Sequence, residues 1–178
     1  MLRDLCLTAT FVALAAPGFA RMAFAEAQSE TLFTHKNWEV EVWGFDDGSV
    51  ACLAEVDDTT DSFTIWTYAD QSMQLQFYSD QWDFGEGETA DLEVQIDRRG
   101  PWSLTDAELY KQSVLFNLPD SKDGVRFLVE VAQGTKLHLR SADGDEVMWY
   151  SLAGSRASMD ALIACGDAIT QGGKNPFK

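Results

Sequence analysis

Asp91-Leu92-Glu93-Val94-Gln95-Ile96-Asp97 alternates without a break, with Leu92, Val94 and Ile96 to one side and acid or amide side chains to the other. A period of two is the signature of a strand with one buried and one wet face. Arg98-Arg99-Gly100-Pro101 then forms a turn, Trp102 to Leu104 is expected to pair briefly, and Ser113 to Leu118 reads as a further short strand. Upstream, Asp80 to Glu88 is rich in glycine and acid around Trp82 and Phe84. It reads as an ordered loop, because its aromatic rings gain from burial.

The same alternation recurs on both sides. After a polar lead-in, Trp38-Glu39-Val40-Glu41-Val42 is a strand, Asp46-Asp47-Gly48 a turn, and Val50 to Glu55 the returning strand with Val50, Cys52 and Ala54 on one face. Asp-Gly supplies the positive φ of tight hairpin turns at little cost. Asp57 to Asp61 is a polar loop, and Phe63 to Tyr68 with Met73 to Tyr78 form a second strand pair. Lys136 to Arg140 and Val147 to Leu152 flank another Asp-Gly turn at Asp143-Gly144. One wet face throughout favours antiparallel pairing over a parallel sheet buried on both sides.

Two helices complete the pattern. Asp123-Gly124 opens a short one with Val125, Leu128, Val131 and Ala132 on one face, stopped by Gly134 as a left-handed C-terminal glycine. Ser155 caps a longer C-terminal helix whose Ser158, Leu162, Cys165 and Ile169 share a side. The expectation is a mainly β domain, an antiparallel sandwich or barrel, closed by a C-terminal α-helix with one short additional helix.

The first residues read as a secretory signal: Arg3, an apolar run of about 12 residues from Leu5 to Ala16, then Pro17-Gly18. That run falls well short of the ~20 residues that span a bilayer as a helix, so no stable membrane insertion is expected. Small residues favour cleavage after Ala25, with Ala20 the alternative. Residues 1–25 are then the signal, and 26–178 form a single β-rich domain with a flexible C-terminal tail from Gly172-Gly173. The expected location is the periplasm or the exterior.

The chain has 178 residues with 13 Lys+Arg against 29 Asp+Glu, a formal charge of −16. Removing Arg3, Asp4 and Arg21 makes the remainder one unit more negative. So acidic a surface repels phosphate backbones, and nucleic acid is excluded as a partner. With 46% hydrophobic residues the chain still has ample material for a core. Cys6 departs with the signal, which leaves Cys52 and Cys165. Two cysteines in an exported protein make a disulfide, and closing a loop of about 100 residues contributes up to about 4–5 kcal/mol.

Little in the chain points to catalysis. There is no Gly-x-Ser-x-Gly elbow, His138 is flanked by leucines on a strand, and His35 lies in the lead-in. No catalytic residue, cofactor or metal site is assigned. Asp57, Asp58 and Asp61 in one loop, and Asp80, Asp83, Glu86, Glu88 and Asp91 in another, lack EF-hand spacing, so calcium is carried only as a secondary expectation. Trp66, Trp82 and Trp102 could form an aromatic platform, although tryptophans in a small β domain usually fill cores. Trp82 stands out, since it sits among acids. The candidate binding surface is therefore Trp82 with Asp80, Asp83, Glu86 and Glu88.

The strand ending Ile96-Asp97, Phe127-Leu128 before Gly134, and Tyr150-Ser151-Leu152-Ala153-Gly154-Ser155 followed by Ala161-Leu162 and Cys165 carry a resemblance. Over roughly residues 37 to 168 the chain resembles the invasion-associated locus B family of exported proteobacterial proteins. That resemblance implies a β-rich envelope or surface protein without catalytic residues. The function expected is non-enzymatic binding of a protein or cell-envelope component, in contact with the host or the cell envelope. The alternatives are an acidic inhibitor of a basic secreted enzyme and a periplasmic hydrolase using paired carboxylates.

Overall fold

The structure, a computed structural model, describes residues 27–119 and 121–172. The signal segment and the tail beyond Gly172 lie outside these. Ten strands form one sheet in the order β1-β2-β3-β4-β5-β8-β7-β6-β9-β10. They are β1 Gln28–His35, β2 Trp38–Gly44, β3 Val50–Asp57, β4 Asp61–Tyr68, β5 Met73–Ser79, β6 Phe84–Ile96, β7 Trp102–Lys111, β8 Ser113–Asn117, β9 Lys136–Ser141 and β10 Glu146–Ser151. Helix α1 is Ser121–Gln133 and α2 is Ser155–Thr170. Every neighbouring pair is antiparallel, and the sheet curls into a half-barrel. The mainly antiparallel β class, with a C-terminal helix and one more, is what the alternation predicts.

Register explains which face is dry. Trp38, Val56, Phe63, Phe77 and Val114 lie in one row across five strands, and Val40, Ala54, Ile65 and Leu75 in the next. All are buried. Because side chains alternate along a strand, in-register pairing gathers apolar positions on one side. Phe63 stacks on Phe77 at 5.0 Å between centroids and meets Phe127 of α1 edge-on at 6.4 Å. Cys52 and Cys165 are joined, with Cα atoms 6.1 Å apart across 113 positions, and so tie α2 to β3.

Several local expectations are corrected. The lead-in is strand β1, with His35 at its end; its side chains are almost all exposed, so they show no dry stripe. Strand β6 begins at Phe84, inside the segment read as a loop, and β7 runs on to Lys111 instead of ending at Leu104. The distal half of this hairpin is mostly exposed on both faces and broken by register shifts at Phe84/Glu88 and Ala90/Leu92, which hide the alternation. Helix α1 starts earlier than Asp123, and Val125 on its shared face is exposed while Phe127 is buried.

Two cap assignments change in kind. Gly134 has no left-handed φ; a Cβ there would lie 2.6 Å from Ile96 Cγ2 and 2.7 Å from Leu152 Cδ1. Its small size lets the end of α1 pass against β6. Ser155 is not the cap of α2: Gly154 holds that place at φ 102°, and the buried Ser155 hydroxyl donates to the Val131 carbonyl at 2.7 Å. The serine thus docks the start of α2 on the end of α1 and supplies a partner for one of α1's terminal carbonyls.

Candidate functional site

The face of the sheet turned away from the core carries a polar ladder. On β2 to β5 the outward rows are Glu41, Leu53, Trp66 and Gln74, and beside them Glu39, Glu55, Thr64 and Gln76. Alternation alone places them there. Their functional groups are fixed by one another: Thr64 Oγ1 donates to Glu55 Oε2 at 2.6 Å, Trp43 Nε1 to Glu41 Oε2 at 2.5 Å, and Thr31 Oγ1 to Glu39. Trp66 Nε1 donates to Gln76 Oε1 at 2.8 Å, and Gln76 Nε2 in turn donates to Ser113 Oγ at 3.0 Å.

Of these, Glu39, Glu41, Trp43, Leu53, Glu55, Trp66 and Gln76 wall a shallow groove of about 400 Å³. Glu39, Glu41, Glu55, Asp57 and Asp61 supply five carboxylates, and among the described residues no basic side chain lines it. Trp43, Trp66 and Tyr78 supply aromatic surface, with Trp43 edge-on to Trp66 at 5.8 Å between centroids. Such a surface suits a cation: carboxylates attract the charge, and aromatic faces receive ammonium or guanidinium groups through their quadrupole.

Residues proposed from sequence fall partly beside this groove. The Asp80 amide donates to the carbonyl of Thr60, a groove residue, at 3.0 Å, so Asp80 stands at the rim. Asp83, just before β6, and Glu86 and Glu88 on its bulged start are exposed. Trp82 is half-buried and packs on Phe84 at 5.3 Å, closer to a core filler than to an open platform. Trp102 meets Phe127 edge-on and lies under the Arg126 guanidinium, so it belongs to the core side. Among the described residues, no three His, Cys, Asp or Glu side chains converge as a metal-binding group. His138 pairs with Glu146 across β9 and β10.

Of the groove acids, Asp57 and Asp61 stand out in the sequence only as part of a secondary calcium loop, and Glu39, Glu41 and Glu55 belong to none of its candidate sites. Glu39 and Glu41 read there as the wet half of a strand, which they are; only the register of β2 on β3 brings them beside Glu55 and Asp57.

Among the described residues no helix is long and apolar enough to cross a membrane. No family model matches the chain, and no curated protein matches it. Among solved structures, the fold is similar to that of invasion associated protein B from Bartonella henselae, with 16% sequence identity, 78% of this chain and 99% of that chain covered, and a TM-score of 0.50. The likeness is one of fold.

Proposed function

We propose that this is a non-catalytic, periplasmic or secreted binding protein of the cell envelope that holds a basic protein partner against its acidic outer groove. The observation that carries this reading is the groove itself: five carboxylates with, among the described residues, no basic side chain, set among Trp43, Trp66 and Tyr78. Asp80 at the rim, continued by Asp83, Glu86 and Glu88, extends the negative surface. A partner rich in lysine and arginine would be steered to it, and masking a basic secreted enzyme is one use of such contact. The similarity to an invasion-associated protein supports an envelope role.

A groove with several carboxylates also admits a hydrolase reading. Three of the acids, however, already accept side-chain hydrogen bonds within the ladder, as fixed anions of a contact surface would. The test is titration of the protein with a defined basic protein, lysozyme, by calorimetry at low and high salt. Binding should weaken as salt rises and fall at least tenfold in the triple variant Glu41→Gln, Glu55→Gln, Asp57→Asn. Binding equal in wild type and variant would reject the groove. Release of reducing sugar from cell-wall glycan, lost in the same variant, would favour the hydrolase.

A further inference from the structure

On the other side of the molecule, α1 and α2 lie side by side and leave between them an open groove of about 810 Å³, twice the size of the acidic one and within the range of small-molecule sites. Its floor is apolar: Met73, Leu128, Met159 and Leu162, the last three buried or nearly so. Its walls are Val125, Val129 and Ile163, exposed by 56%, 46% and 48%. Half of the large hydrophobic side chains recorded as exposed among the described residues therefore line this one groove, in a chain that is otherwise strongly acidic. Two of the floor residues are methionines, whose unbranched thioethers adapt to varied apolar shapes.

The charged residues of the rim narrow the choice of occupant. Lys122, Arg156, Asp160 and Asp167 line the groove, two of each sign, and no ion pair engages any of them among the described residues. The groove is thus locally balanced in charge. An anionic amphiphile would meet the repulsion of the acidic chain, while a head carrying both a phosphate and an ammonium matches the rim in both signs. Shape points the same way. The 13 residues of α1 extend about 20 Å, enough for one acyl chain, which occupies about 15 Å, half of a bilayer's hydrocarbon core. A second copy would present the same concave groove, and concave does not fill concave.

We infer that the α1/α2 groove binds a single-chain zwitterionic lipid of the lysophospholipid type, its acyl chain on Met73, Leu128, Met159 and Leu162, and its head on the pair Arg156 and Asp160, one turn apart on α2, the phosphate at Arg156 with Lys122 adding positive charge to the rim and the ammonium at Asp160. The site is independent of the acidic groove on the opposite face of the sheet and does not rest on that reading.

The probes are lysophosphatidylcholine, palmitate and dodecyl maltoside, each below its micelle-forming concentration, titrated into the disulfide-bonded protein by calorimetry and native mass spectrometry. Lysophosphatidylcholine should bind saturably at one per chain and more tightly than the other two. Ile163→Asp, a change at a half-exposed position whose retained fold is checked by melting, should weaken it tenfold or more. Arg156→Ala with Lys122→Ala should weaken it several-fold and leave dodecyl maltoside unchanged. Absence of binding, equal affinity for all three probes, or an unaltered Ile163→Asp variant would overturn the proposal. So would a concentration-dependent dimer that Val129→Asp dissociates, because a second copy would then own the groove.

Discussion

The Tyr150 hydroxyl donates to the carbonyl of Ser62 at 2.9 Å, joining β10 to β4 across 88 positions of sequence and from opposite halves of the sheet. The ring meets Phe63 at 5.9 Å and Phe77 at 6.4 Å, so one side chain both fills the core and fixes how far the sheet curls. Burial first, then the charges of Asp61, Asp58 and Glu55, hold this phenol protonated well above its ordinary range.

Tyr150→Phe should keep the fold and lower stability by about 1–3 kcal/mol, the cost of stripping a buried hydrogen bond. In the wild type the contribution of this phenol is complete below its ordinary titration near pH 10 and declines as pH rises above it, because only the unfolded chain can ionise there readily. Chemical denaturation between pH 8 and 11 should show a steeper loss in the wild type than in the variant. Parallel curves would count against the assignment.

Reduction of Cys52–Cys165 should destabilise the protein by at most about 4–5 kcal/mol, as expected for so long a closed loop. Because the bridge also fastens α2 to β3, amide exchange in α2 should accelerate more than in β8 or β9. Equal acceleration everywhere would point to an effect on the unfolded chain alone.

Asp97 sits at φ 53° and accepts hydrogen bonds from Thr135 and from the Lys136 amide, at 3.0 Å for the latter, with Arg99 beside it. The Thr135 hydroxyl is the main influence holding its carboxyl below the usual carboxylate range. A depressed value means the stabilisation is present above the ordinary carboxylate titration and fades as pH falls through the lowered one. Asp97→Asn should cost about 0.5–2 kcal/mol at pH 7, in the manner of a lost cap. The difference from wild type should shrink below pH 4 in urea melts.

Gly134→Ala should destabilise by about 1–3 kcal/mol through overpacking against Ile96 and Leu152. A left-handed glycine would show a similar loss with any residue, so the distinguishing measurement is a double variant. Ile96→Val should relieve part of the Gly134→Ala cost, since it removes bulk from the contact without altering backbone freedom.

Much of the architecture is legible in the chain. The alternation at 38–42 and 91–97, the Asp-Gly turns at Gly48 and Gly144, both left-handed at φ 90° and 86°, and the face shared by Ser158, Leu162, Cys165 and Ile169 all appear as read. Strand β1 and the distal β6–β7 hairpin escape, because a strand wet on both faces has no period to detect. The proposed binding surface escapes more fully. Trp82 stands out in the chain among its acids, yet that ring turns toward Phe84, while Glu39, Glu41 and Glu55 are ordinary outward residues of two strands.

Sequence alone determined the acid surplus, the β class and the cysteine partners, since each depends on composition or on local periodicity imposed by backbone geometry. Tertiary structure decided which carboxylates share a groove, why Gly134 and Ser155 are small and polar respectively, and that two helices leave an apolar groove open. Those properties belong to pairs of residues far apart in the chain. Register, curl and helix docking bring them together, and no local pattern encodes a distance.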